Sequence, residues 1–186
     1  VYQRQMLGHV IAASLETGPF RLCLVTAPNQ NNVRDYALTQ VPEISNCTQD
    51  NQLGTGDAMR AALSACEGVA RVVIMFGDTP LMRPDILRQL ATSEADVCVL
   101  GFEPEDTAAY GRIIMEAGTP LRVVEYKDAD APTRAIGLCN GGAMGVRAGV
   151  LNELLPQLQN DNAQSEYYLP DLVHLAVASG LSLIHI

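Results

Sequence analysis

Between residues 70 and 81 the chain reads ARVVIMFGDTPL, a continuous apolar run that stops abruptly at a glycine and a single aspartate. A run apolar at every position, as over 72–76, suits a strand buried on both faces, which parallel sheets in α/β proteins require. Asp78 falls just past the carboxyl end of that strand, and in open α/β sheets ligands collect in the crevice outside those ends. A carboxylate there can hold a hard cation or a substrate hydroxyl. Equally, Gly77-Asp78 can be a turn whose aspartate bonds its own backbone. The motif alone leaves both readings open.

The flanking pattern places this strand in an alternating series. Met6, Val10, Ile11 and Leu15 make a helical stripe that Gly18 ends. Residues 21–27 read as a strand, 33–38 as a short helix and 43–49 as a weak strand. Residues 54–66 open with glycines and continue with Met59, Ala62, Leu63 and Cys66 on one helical face. Pro84 starts a helix whose buried stripe is Ile86, Leu87, Leu90 and Ala91, and 95–102 is a further buried strand. The rhythm then changes: 111–116 and 121–126 flank Ala117-Gly118-Thr119-Pro120 as a hairpin or arch, and 138–146 is strand-like. Val150, Leu151, Leu154, Leu155 and Leu158 mark a helical face, 159–165 a loop, and 170–179 a last helix stopped by Gly180. Short loops between alternating elements predict an α/β fold: a Rossmann-like, mostly parallel sheet with helices on both faces and a small β insertion on the substrate side.

Charge and cysteine usage narrow the partners. A net charge of −9 repels a phosphate backbone, so nucleic acid is not an expected partner. A phosphate-bearing small ligand is compatible if backbone N–H groups, a few basic side chains and a metal neutralise it locally. The five cysteines form no CxxC pair and lie mostly in apolar runs, which suits reduced thiols in a cytosolic protein. His9, His174 and His185 show no metal-ligand spacing, and residues 6–13 are too short and interrupted for a membrane span. No signal peptide is recognisable, and the start at Val1 reads as a fragment or a processed chain.

Gln52-Leu53-Gly54-Thr55-Gly56-Asp57-Ala58 sets two glycines between a strand and a helix, where backbone amides can approach a ligand closely. Its bland reading is a glycine-assisted turn with Thr55 as N-cap. Tyr110-Gly111-Arg112, Glu125, Lys127-Asp128, Asn140-Gly141 and Glu166-Tyr167-Tyr168 likewise punctuate strand ends, and each taken singly reads as a turn, a solvated face or a core aromatic.

Together and in order, GDTPL, QLGTGDA, YGRI, VVEYKDA, CNGG and NAQSEYYLPD resemble the uridyltransferase domain of bacterial bifunctional N-acetylglucosamine-1-phosphate uridyltransferase/glucosamine-1-phosphate acetyltransferase. The colinear match runs from about Met6 to about Gly180. The resemblance implies a Rossmann-like nucleotide-diphospho-sugar transferase fold. It further implies a cytoplasmic, Mg2+-using enzyme of cell-wall precursor synthesis that joins UTP and N-acetylglucosamine 1-phosphate into UDP-N-acetylglucosamine and pyrophosphate. Position by position, Gln49, Gln52, Gly54 and Thr55 match the loop that reads uracil and ribose, Asp78 matches the catalytic metal ligand, and Gly77 beside it counts with Asp78 among the substrate-binding residues. Gly111, Glu125, Asn140 and Tyr168 match the sugar pocket. Asp57 departs from the family's histidine, Pro170 from its frequent threonine, and Gly142 from a bulkier residue.

The resemblance also sets expectations about extent. Residues 6–181 correspond to a partial domain in which the family's first strand and glycine-rich phosphate loop would precede Met6. A second metal ligand, an asparagine, would follow Gly180, and homo-oligomerisation would come from a left-handed β-helix acetyltransferase domain. Residues 1–5 and 182–186 do not match the pattern and are expected to be foreign to it. Two other readings stand beside this one: a related nucleotidyltransferase with another sugar phosphate or base, and a non-catalytic sugar-nucleotide-binding module.

Overall fold

Strands and helices alternate through the first half of the chain in the computed structural model, which describes residues 2–19 and 21–186. The order is α1 (Tyr2–Leu15), β1 (Cys23–Thr26), α2 (Asn31–Gln40), β2 (Ser45–Thr48), α3 (Thr55–Ala61), β3 (Arg71–Met75), α4 (Pro84–Thr92) and β4 (Val97–Phe102). Then come the hairpin β5 (Arg112–Glu116) and β6 (Thr119–Val124), α5 (Ala131–Arg134), β7 (Cys139–Arg147), α6 (Ala148–Leu154), α7 (Leu172–Ala178) and β8 (Leu183–His185). Val1, within the 1–5 segment expected to be foreign, lies outside the described residues.

The strands form two sheets. β1 and β2 pair in parallel, with Cys23 beside Ser45 and Thr26 beside Thr48. The larger sheet runs β6-β5-β7-β4-β8, with β3 on the other part of β7. Parallel pairing, expected for most of the sheet, is found between β1 and β2 and between β4 and β8, whereas β7 runs antiparallel to β3, β4 and β5. The cause is the connection. A parallel neighbour needs a crossover of about a dozen residues or more, usually helical. The connection from β4 to β7 carries a hairpin and no helix longer than the four-residue α5, so it lacks the helical crossover that would bring the chain back parallel. The fold class holds, and the sheet within it is mixed.

β4 shows how the core is laid out. Val97 and Val99 face one side with Met144, Val146, Leu151, Leu154, Leu172 and Val173, while Cys98 faces the other with Leu87, Leu90 and Ala143. Alternate residues of one apolar strand thus bury into opposite layers, as a three-layer α/β arrangement demands. A third cluster, Leu7, Ile11, Ala37 and Ile44, packs α1 and α2 against the β1–β2 sheet.

β3, expected to be buried on both faces, is half-buried along its whole length. It pairs with β7 on one edge, and its other edge faces β1 across a cleft of about 970 Å³. Residues 183–185, expected to be foreign, form β8 beside β4, and the Ser182 N–H and hydroxyl both donate to Asp96 Oδ2 at 2.9 and 2.7 Å.

Candidate functional site

β3 ends at Met75, and Phe76, Gly77 and Asp78 are exposed beyond it. Thr79 ties the turn by donating its hydroxyl to the Phe76 carbonyl at 2.8 Å. Among the described residues no hydrogen bond reaches the Asp78 carboxylate, which lines the cleft between the two sheets. The aspartate is therefore not spent on its own turn. A free carboxylate fits Mg2+, which keeps several waters and is commonly held by one or two carboxylates together with substrate phosphates. The described residues contain no cluster of three or more His, Cys, Asp or Glu that could cage a metal, so a cation here would depend on the substrate for further ligands.

The second component is the loop from β2 into α3. The Gln49 N–H donates to the Thr26 carbonyl at 2.9 Å, and its side chain folds back so that Nε2 donates to the Gly54 carbonyl at 3.0 Å and to Asp57 Oδ2 at 2.8 Å. Gln52 is exposed. Gly54 has φ +107°, and a Cβ there would lie 2.7 Å from the Tyr167 carbonyl oxygen. A Cβ on Gly56 would lie 2.5 Å from Leu158 Cδ1. Both glycines therefore serve to dock this loop on the segment around Tyr167. Two backbone hydrogen bonds complete the join, from Tyr167 N to Leu53 O and from Gly56 N to Tyr167 O, each 2.7 Å. Thr55 is not the N-cap that its bland reading makes it. Gly54 holds that position, and the Thr55 hydroxyl oxygen accepts from the Leu169 N–H at 2.9 Å.

The third component joins the hairpin, β7 and the chain before α7. The Asn140 N–H donates to the Gly111 carbonyl at 2.8 Å, and Asn140 Oδ1 accepts from the Gly142 N–H at 3.2 Å. Gly142 has φ +73°, and a Cβ there would stand 2.9 Å from Phe76, so its glycine lets the end of β3 close on β7. The Glu125 carboxylate stands over Gly111, whose Cβ, if present, would be 3.1 Å from Oε1. Tyr168 is only 8% exposed, and among the described residues its buried hydroxyl makes no hydrogen bond of ordinary geometry, although it lies close enough to the Asp128 carboxylate to feel it.

This third component is acidic. Burial raises the Glu125 carboxyl above its ordinary value, and the charges of Asp171 and Asp128 add to the effect. Burial likewise raises Asp171, with Asp128 adding and His174 opposing. The Tyr168 hydroxyl is pushed up to about 12 by burial, then by Asp128, Glu125 and Glu166. Such a site accepts hydrogen bonds and repels anions; it suits hydroxyl and amide N–H donors of a neutral ring.

The charge cost sets a measurable sign. Glu125 is raised in the folded state, so its protonated form is favoured there; the protein loses stability as pH rises through that value and regains it below the ordinary 4.5. Glu125→Gln is accordingly expected to stabilise the chain at neutral pH, with the gain vanishing below about pH 4.5 in paired urea titrations.

The structure thus brings Gly111, Glu125 and Asn140 together, sets Tyr168 within the field of Glu125, and places the Gln49, Gly54 and Thr55 loop against the same 166–169 segment. Asp78 enters from β3, whose Met75 pairs with Ala143, three residues from Asn140. Among the described residues Gln52 makes no such contact. Sequence reading missed Asp128 and Asp171. Asp128 is read as a surface turn, and its exposed carboxylate does accept from the Ala163 N–H at 2.8 Å, but its field reaches Tyr168 and Glu125. The repeated acids of EYKDA and EYYLPD were the available signal.

Comparisons with known proteins bear on the family and the fold. Residues 1–130 match the MobA-like NTP transferase domain. The chain is 43% identical over 181 residues to the bifunctional protein GlmU of Ruegeria sp. (strain TM1040) and 42% identical over 182 residues to that of Parvibaculum lavamentivorans. Each alignment covers 96% of this chain and 40% of the relative, so the chain spans about two fifths of their length. Among solved structures, a UDP-glucose pyrophosphorylase complexed with UDP-glucose superposes with a TM-score of 0.75 at 17% identity, over 97% of this chain and 78% of that one. The inositol-1-phosphate CTP transferase from T. maritima gives 0.74 at 12% identity, over 97% and 71%. At these identities the two superpositions speak for the fold.

Proposed function

The chain belongs to the MobA-like NTP transferase domain family, and on that premise we propose that it carries the nucleotide and sugar sites of a uridyltransferase forming UDP-N-acetylglucosamine and pyrophosphate from UTP and N-acetylglucosamine 1-phosphate. The observation that carries the reading is the direct docking of the Gln49–Thr55 loop on the 166–169 segment, through the Gly56, Tyr167, Thr55 and Leu169 bonds. A nucleotide held by the loop and a sugar held beside Glu125 and Tyr168 then occupy one crevice. Gln49, Gln52, Gly54 and Thr55 take the uridine; Gly111, Glu125, Asn140 and Tyr168 take the sugar; Gly77 and Asp78 face the phosphates.

In the reaction a sugar-phosphate oxygen attacks the α-phosphorus of UTP and the bond to the β-phosphate breaks, releasing pyrophosphate. The attacking phosphate is already ionised near neutral pH, so no side-chain base is required. Positioning and charge neutralisation carry the rate. Mg2+ at Asp78 would supply the neutralisation. The chain's acceptor-rich pocket holds the sugar ring, and its acids keep free phosphate out of that pocket, so the sugar phosphate enters in one orientation. The enzyme would act in the cytoplasm, within cell-wall precursor synthesis.

Titration calorimetry of the chain with UDP-N-acetylglucosamine and UDP-glucose tests the reading. The acetamido N–H and carbonyl add hydrogen bonds that glucose lacks, so the N-acetyl sugar is expected to bind on the order of tenfold more tightly. Equal affinities would exclude the sugar assignment, and absence of binding by both would exclude the site.

A further inference from the structure

The sequence singled out Asp57 as a departure that adds negative charge beside the nucleotide loop, and the structure gives that charge an occupation. Both hydrogens of the Gln49 amide nitrogen are taken, one by the Gly54 carbonyl at 3.0 Å and one by Asp57 Oδ2 at 2.8 Å. A Gln side chain can present either end of its amide, and the two ends differ by only a rotation. Here the rotation is fixed. Turning the amide would set Oε1 against a carbonyl oxygen and a carboxylate at hydrogen-bond distance, three acceptors with no proton among them, whereas a carboxylate accepting from N–H makes one of the stronger hydrogen bonds available. Among the described residues Oε1 itself receives no hydrogen bond, so the free end of Gln49 is an acceptor.

From this we infer that Asp57 is a specificity-determining positioning residue: by locking the Gln49 amide it makes that side chain an obligate acceptor, selecting a pyrimidine that offers a ring N–H over one that offers a bare ring nitrogen. Uracil carries a hydrogen on N3; cytosine has a lone pair there and would meet Oε1 as acceptor against acceptor. The inference rests on the proposed nucleotide role of the loop and adds to it the residue that sets the polarity of base reading. A side chain without an acceptor in place of Asp57 would leave only the Gly54 carbonyl to hold the amide. An asparagine in its place would be ambiguous, since its own amide can turn with that of Gln49 and pair in either sense.

The test compares UDP with CDP by calorimetry on the 186-residue chain and on Asp57→Asn and Asp57→Ala, each checked for unchanged thermal unfolding. The native chain is expected to prefer UDP, and both variants to lose on the order of tenfold of that preference, chiefly by binding CDP better. A loss of overall affinity at constant UDP-to-CDP ratio would mark Asp57 as merely structural and overturn the inference. A native preference for UDP that both variants keep would overturn it too, while leaving the uridine reading intact. No discrimination, or no binding, by the native chain would remove the uridine reading and the inference together. Should Asp57→Ala fail to fold, the isosteric Asp57→Asn still decides.

Discussion

Asp78→Asn is expected to lower nucleotidyl transfer on the order of a thousandfold in the proposed uridyltransferase, and to leave unfolding within about 0.5 kcal/mol of native. The two halves of that expectation come from the same geometry. Asp78 is exposed past the end of β3, and its turn is held by Thr79, so the carboxylate supports no folded contact whose loss would be felt. Surface substitutions away from special features usually change stability by no more than about half a kcal/mol. A carboxylate holding a divalent cation at a reacting phosphate, by contrast, supports several kcal/mol of transition-state charge stabilisation, and each 1.36 kcal/mol is about tenfold in rate. Asparagine keeps the size and removes the charge. Pyrophosphate release reports the first half and urea unfolding the second. A third readout uses the chain itself: Mg2+ should tighten UDP-N-acetylglucosamine binding in the native chain and not in the variant. A folded Asp78→Asn with native turnover would exclude the metal assignment.

How much of this was legible beforehand depended on whether the signal was local. The run ending at Gly77-Asp78 showed both the strand and the position of its carboxylate, because an unbroken apolar segment and its stop are properties of neighbouring residues. The docking of Gly54 and Gly56 on Tyr167 was not legible. Two glycines before a helix look the same whether they admit a phosphate or another stretch of backbone, and the partner lies more than a hundred residues away. Thr55 misled for that reason: its hydroxyl satisfies Leu169, not its own helix. The antiparallel entry of β7 was hidden similarly, since the sequence of a buried strand carries no mark of its direction. Glu125 was singled out through family resemblance, yet its carboxyl is raised above its ordinary value by burial and then by the charges of Asp171 and Asp128, and those acids are brought near only by the fold.

The largest stability effect is expected at a residue outside all of these motifs' proposed contacts. Arg112→Ala should destabilise the chain by about 3–5 kcal/mol, a large fraction of the roughly 5–15 kcal/mol by which domains are stable. Arg112 is 1% exposed, and no carboxylate accepts from it among the described residues. Its guanidinium instead donates to the Thr107 hydroxyl at 2.9 Å, to the Thr107 carbonyl at 3.3 Å, to the Arg134 carbonyl at 3.2 Å and to the Tyr110 carbonyl. One planar fork thus gathers the loop before β5 and the end of α5 into a single block. Removing it leaves several inward carbonyls without donors, at about 1–3 kcal/mol for each that water cannot reach, together with a cavity of side-chain size. Arg112→Lys should recover little, because a single ammonium cannot reach carbonyls spread around the fork. Arg112→Met fills the volume without donors and so separates packing from hydrogen bonding. Urea midpoints at constant slope measure all three. Since Gly111, beneath Glu125, is the residue immediately before it in the chain, the surviving folded fraction of Arg112→Lys should also bind the sugar nucleotide more weakly. If the alanine variant unfolds within about 1 kcal/mol of native, the carbonyl fan is already hydrated and Arg112 does not hold the proposed sugar site together.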